Sequence, residues 1–184
     1  MAQNRVILGI DPGSQIMGYG VIEVLPRSPK FITMGVVDLR KEKDHFLRIR
    51  QIFIEVTGLI EHYRPDELAI EAPFYGKNIQ SMLKLGRAQG SAIAAALNRN
   101  MPIFEYAPRK VKLAITGKGA ASKEQVAALL MNILNTGIKP EFYDASDGLA
   151  VALCHYYQTS GPAIAVSSSK SWESFVKSNP ERIK

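Results

Sequence analysis

Cysteine is all but missing from this 184-residue chain, with Cys154 the only one. A single thiol excludes an internal disulfide framework and fits a reducing cytosol. Long apolar runs are missing too. No stretch approaches the roughly 20 residues that a membrane-spanning helix needs. The first apolar run is interrupted by Asp11 and Gly13 within a handful of residues, so no signal peptide is expected and the chain reads as cytoplasmic. The three histidines, His45, His62 and His155, lack metal-ligand spacing and read as structural or surface groups. No internal repeat is visible. What is present is a 46% apolar composition, enough for one domain with a proper core, and 23 Lys+Arg against 17 Asp+Glu. The resulting charge of +6 favours a polyanionic partner without naming one.

The order of elements follows from changes of period. Residues 5–11 read as a buried strand, 18–24 as a second and 31–39 as a third, joined by short Gly, Ser and Pro turns into an antiparallel meander. From Asp44 to Tyr63 the period changes to that of a helix, with Phe46, Ile49, Phe53, Val56, Ile60 and Tyr63 on one face. A fourth strand spans Glu67 to Glu71, a second long helix Asn78 to Asn98, and a short fifth strand Ile103 to Tyr106. Ser122 and Gln125 have the spacing of a capping box for a further helix. The last helix is expected from about Asp144 to Tyr157. The predicted order is βββαβαβαα, an α/β fold. Its mixed five-stranded sheet joins three antiparallel strands to parallel ones, with helices on both faces. Residues 1–158 are expected to form the domain and 159–184 a flexible tail, in which Trp172, Phe175 and Val176 could form one docking turn.

Four carboxylates stand out against this frame. Asp11 ends the first strand and Glu71 the fourth, and parallel pairing of those strands would set the two side by side at their C-terminal ends. Asp144 and Asp147 are three residues apart at a helix start, hence on one face. Each has an ordinary reading as well: Asp before Pro-Gly starts turns, and acids at a helix start cap it. Gathered together they would repel unless a cation lies between them. Such oxygen donors suit Mg²⁺, and paired ions of this kind hydrolyse phosphodiesters. A metal-dependent nuclease is the reading to test.

The segments Gly9-Ile10-Asp11-Pro12-Gly13-Ser14, Gly18-Tyr19-Gly20-Val21, Ala69-Ile70-Glu71, Lys77-Asn78, Leu83-Lys84-Leu85-Gly86 and Asp144-Ala145-Ser146-Asp147-Gly148-Leu149-Ala150 resemble the RuvC family, bacterial Holliday junction resolvases. The similarity runs from about Arg5 to His155, in order and at compatible spacings. It implies an RNase H-like fold and a homodimeric, Mg²⁺-dependent endonuclease with two metal ions per subunit, Mn²⁺ being able to substitute. Such an enzyme nicks opposing strands of a four-way DNA junction and leaves 5′-phosphate and 3′-hydroxyl ends. Its implied partner is a RuvA–RuvB branch-migration motor. By position, Asp11, Glu71, Asp144 and Asp147 match the family's catalytic, metal-binding carboxylates. Lys112 and Lys123 match lysines near the scissile phosphate, and Phe74 matches a junction-wedging aromatic with Tyr75 and Lys77 beside it.

Arg109, Lys110, Lys112, Lys118 and Lys123 crowd a stretch read as loop-rich, where a solvated basic surface competes with phosphate contacts. Gly86, Gly90 and Ala94 make a smooth stripe for close approach of either the sheet or a second subunit. Besides a relative inside the same fold that acts on ribosomal RNA precursors, two rival readings remain. A sugar-kinase-like or ATPase-like domain shares an Asp-x-Gly-Ser pattern but normally comes in two copies. A non-catalytic nucleic-acid-binding module would explain the charge and leave the carboxylates unexplained.

Overall fold

An unbroken apolar strand can hide both faces only at the centre of a sheet, and there lies β1 (Arg5–Asp11). The computed structural model describes residues 4–73, 78–136 and 143–159. The other strands are β2 (Ile16–Val24), β3 (Pro29–Asp38), β4 (Glu67–Glu71) and β5 (Ile103–Tyr106), in the order β3-β2-β1-β4-β5. β1, β2 and β3 pair antiparallel; β4 pairs parallel with β1 and with β5. The expected mixed sheet is therefore present. Pro29 opens the edge strand β3, where its missing N–H costs no central ladder bond.

Alternation along the strands divides the interior into two cores. Ile7, Ile22 and Ala69 face α3 (Pro108–Thr116), α4 (Lys123–Leu134) and α5 (Tyr143–Thr159). Leu8, Ile10, Val21, Leu68 and Ile70 face α1 (His45–Tyr63) and α2 (Ile79–Leu97). Helices thus cover both faces of the sheet. Their ends carry the anticipated chemistry. Asp44 accepts from Leu47 N at 2.9 Å, and Asn78 accepts from Ser81 N at 3.1 Å. Ser122 and Gln125 close a reciprocal capping box at 3.3 and 3.1 Å.

Two expectations need correction. The stretch read as a basic loop contains a helix, α3, which makes the order βββαβαβααα. Pro108 sets the first turn, Gly117 ends it at φ 71°, and Val111 and Ile115, four apart, are buried. In α1 the buried residues are Ile52, Val56 and Ile60, whereas Phe46 is 71% exposed. Periodicity marks a face but not where its partner surface stops, and the first turn of α1 extends past the core. Phe74, Tyr75, Lys77 and the segment 160–184 lie outside the described residues. Among those described, no helix is long and apolar enough to cross a membrane.

Candidate active site

Asp11 and Glu71 end neighbouring parallel strands that run in step, since Ile10 lies opposite Ile70. Their side chains take the face occupied by Ile7 and Ala69, which is the face covered by α5. The helix comes close because side chains are missing where it crosses. A Cβ on Gly9 would sit 2.2 Å from the Gly148 carbonyl oxygen and 2.5 Å from Ala152 N; one on Gly148 would sit 2.5 Å from the Tyr19 Cα. The space that Gly9 leaves is filled by helix backbone. That contact fixes the start of α5, and with it Asp144 and Asp147, over the end of β1.

One oxygen from each of Asp11, Asp144 and Asp147 lies within 4.8 Å of the others. Glu71 falls outside that group but lines the adjoining cleft together with Asp11, Asp147, Lys112 and Lys123. Asp11 and Asp147 belong to both sets. Asp144 is itself helical, so it is not the residue before the helix that a cap requires. Its carboxylate and that of Asp147 instead meet the ammonium of Lys123, at 3.4 Å and 2.5 Å.

This arrangement carries too much negative charge for its burial. Burial, then Asp147, pushes the Asp11 pKa up to about 7 despite the opposing pull of Lys123. Burial and the charge of Asp11 push Glu71 to about 8. Burial also raises Asp147, against the hydrogen bond from Lys123. For Lys123, burial opposes the charged form, but the hydrogen bond and charge of Asp147, with Asp144 and Asp11 behind it, hold it above the usual lysine value. The two ammoniums of Lys123 and Lys112 do not neutralise four carboxylates. The all-oxygen donor set suits a hard divalent cation, and the surplus charge is of the sign such a cation removes.

The basic residues separate by position. Lys112 on α3 and Lys123 at the start of α4 line the cleft, whereas Arg109 and Lys118 are not among its lining residues. Lys110 turns away, its ammonium 5.1 Å from the centre of the Tyr106 ring.

A second polar cluster, which sequence reading missed, grips the far half of α5. His155 is fully buried; its Nδ1 lies 2.6 Å from the Tyr106 hydroxyl and its Nε2 2.7 Å from Glu67. A neutral ring meets both contacts, with Tyr106 O–H donating to Nδ1 and Nε2–H donating to the Glu67 carboxylate. Burial lowers the His155 pKa against the pull of Glu67, in keeping with that neutral form. Arg5 completes the chain, 3.5 Å from Glu67 and 2.8 Å from Thr159 Oγ1. The visible hint was Glu67 on the same strand face as Ala69 and Glu71.

Residues 7–155 match the family described as crossover junction endodeoxyribonuclease RuvC. The protein of that name from Bacteroides fragilis is 56% identical over 99% of this chain and 97% of its own length. The one from Porphyromonas gingivalis is 52% identical over 99% and 98%. Among solved structures, Thermus thermophilus RuvC in complex with Holliday junction substrate superposes with a TM-score of 0.77 at 31% identity, covering 84% of this chain and 94% of that one. Another Thermus thermophilus RuvC structure gives a TM-score of 0.74 at 31% identity over 83% of this chain and 95% of that one. The mixed sheet with helices on both faces is thus the RNase H-like architecture of RuvC.

Proposed function

The chain belongs to the crossover junction endodeoxyribonuclease RuvC family, and we propose that it hydrolyses phosphodiesters in two opposing strands of a four-way DNA junction. The observation that carries this reading is the convergence of Asp11, Asp144 and Asp147 oxygens within 4.8 Å, beside a cleft shared by Glu71 and two lysines. Mg²⁺ is the cation that fits, with Mn²⁺ as a substitute. Two ions per subunit match two overlapping donor sets, one of Asp11 with Asp144 and Asp147, the other of Asp11 with Glu71. When bound, the metal supplies an activated water and charge stabilisation for the leaving 3′ oxygen.

The chain's own residues do the rest. The parallel register of β1 and β4 holds Asp11 and Glu71 side by side, and the glycine contact under α5 fixes Asp147 opposite them. Lys112 and Lys123 bring positive charge to the phosphate that enters the cleft. Arg109 and Lys118 are assigned to flanking phosphates. Phe74, Tyr75 and Lys77 follow Glu71 in sequence, and stacking of such an aromatic on an unpaired base is worth about 1–3 kcal/mol. The products are 5′-phosphate and 3′-hydroxyl ends that a ligase can seal.

Two symmetric cuts call for two sites. On α2, Ile79 and Leu83 are 70% and 51% exposed, and a Cβ on Gly86 or Gly90 would meet nothing within 4 Å. The small-residue stripe therefore faces away from the sheet and suits a second copy about a twofold axis. A RuvA–RuvB motor is the partner assigned to deliver moving junctions.

The test is a synthetic four-way junction in Mg²⁺. The wild type is expected to nick it symmetrically and spare linear duplex. Asp11→Asn is expected to bind the junction and lose cleavage by about a thousandfold or more, as forfeiting several kcal/mol of charge stabilisation implies. No junction cleavage, or cleavage that ignores Asp11→Asn, would overturn the assignment.

A further inference from the structure

The proposed cleavage reaction leaves unassigned a strongly basic segment at the same end of the sheet. Between β3 and the second turn of α1 the chain reads Leu39-Arg40-Lys41-Glu42-Lys43-Asp44-His45-Phe46-Leu47-Arg48-Ile49-Arg50. Lys41, Lys43, Phe46 and Arg50 are all exposed. The nearby acids are largely engaged. Asp38 takes both Nε and Nη2 of Arg40 at 2.9 and 2.7 Å, and Asp44 caps α1. Among the described residues, Lys41, Lys43 and Arg50 have no carboxylate partner within ion-pair distance.

This segment is held in place, and held to the loop that follows Asp11. Leu39 N donates to Gln15 O at 2.8 Å, and Arg48 reaches Ser14 O at 3.4 Å while its Nε donates to Glu42 O at 2.6 Å. Gln15 is four residues beyond Asp11, a reach of at most about 14 Å. Along a DNA strand, phosphates recur about every 3.4 Å of helix axis, so that reach corresponds to about four nucleotides. The segment therefore sits beside the loop that leads from Asp11, at the end of the sheet where an arm leaving the carboxylate cleft comes within reach of Lys41, Lys43 and Arg50.

We propose that the β3–α1 segment is a second DNA-binding surface, on which Lys41, Lys43 and Arg50 take phosphates of a junction arm a few nucleotides from the cut. The inference rests on the proposed junction cleavage and deepens it. Charge complementarity identifies the occupant as a phosphate backbone. The contacts read no bases, so they position an arm without selecting its sequence. Pre-ordering by the Leu39 and Arg48 bonds spares the segment the entropy of becoming fixed on binding.

The experiment compares Lys41→Gln/Lys43→Gln/Arg50→Gln with a control that removes the same charge at the opposite end of the sheet and helices, Arg27→Gln/Lys30→Gln/Arg99→Gln. Junction affinity is measured without divalent cation over a range of salt, and unfolding midpoints check that both variants fold. The first variant is expected to bind about tenfold more weakly at 0.1 M salt, and its log K against log [salt] slope to be shallower by about 2.7, as three lost phosphate contacts require. The loss should be uniform across junctions of different sequence, and the control should bind as wild type. Equal binding by the first variant and wild type, or an equal loss in the control, overturns the proposal. If wild type cuts the junction and the first variant binds unchanged, only this inference falls. If wild type does not cut, the functional reading beneath it falls as well.

Discussion

The two ends of α5 carry polar clusters of opposite character. At the His155 end every charge and ring nitrogen has a partner: Tyr106, His155, Glu67 and Arg5 form one chain of hydrogen bonds that meets at the Glu67 carboxylate. At the Asp147 end, three carboxylate oxygens crowd within 4.8 Å, Glu71 lies beside the same cleft, and Lys123 is the ammonium that meets two of them. Burial and mutual repulsion raise Asp11 and Glu71 far above ordinary carboxylates. The first cluster fastens the helix to the sheet. The second is repulsive on its own terms, and the proposed divalent cation would offset that repulsion.

The largest expected effect on stability comes from breaking the satisfied end. His155→Ala leaves the Tyr106 hydroxyl and the Glu67 carboxylate without their ring partner and opens a cavity, so chemical denaturation should show a loss of about 3–5 kcal/mol. Tyr106→Phe removes a single O–H and should cost about 1 kcal/mol. Between these lies Gly9→Ala. Its new Cβ would meet α5 backbone at 2.2 Å, so the helix must shift, with a loss of about 1–3 kcal/mol. Mg²⁺-dependent cleavage should fall alongside, because the carboxylates move with the helix. Equal stability in His155→Ala and wild type would erase the contrast between the two ends.

A smaller effect, of the opposite sign, is expected from the acidic end. Asp11→Asn removes a buried charge from the repelling set and should raise metal-free stability by about 1 kcal/mol. pH probes the same repulsion. Unfolded, Asp11 and Glu71 titrate near 4; folded, they titrate at about 7 and about 8. Between those values the native state binds more protons, so metal-free stability is higher on the acid side and declines as pH rises toward 8. His155, lowered in the fold by burial, acts oppositely below its ordinary 6.5, which leaves pH 6.5 to 8 as the clean window. Unfolding midpoints across that window should fall for wild type and stay flatter for Asp11→Asn.

Much of this was legible in the chain, because local rules govern it. Apolar runs ending at Asp11 and Glu71, with a helical segment between, give parallel neighbours whose last residues meet. Ser122 and Gln125 announce their cap. Other features depend on what lies across the fold. The partners of His155 are 49 and 88 residues away in sequence, and nothing local marks them. α3 was masked by its lysines and arginine, with only Val111 and Ile115 buried along nine residues. Phe46 matched the helical period of its neighbours, yet sits where α1 has passed the end of the core. Gly9 marks a missing side chain, but a sequence does not reveal which backbone will fill the space it leaves.

The most direct measurement of the central claim is the unfolding midpoint of metal-free wild type and Asp11→Asn at pH 8, titrated with Mg²⁺. A ligand that binds only the folded state stabilises it by RT ln(1 + [L]/Kd). Wild type should begin below Asp11→Asn and rise with Mg²⁺, while Asp11→Asn starts higher and responds little. Parallel responses in the two proteins, or no response in wild type, would contradict a carboxylate cluster built for a divalent cation.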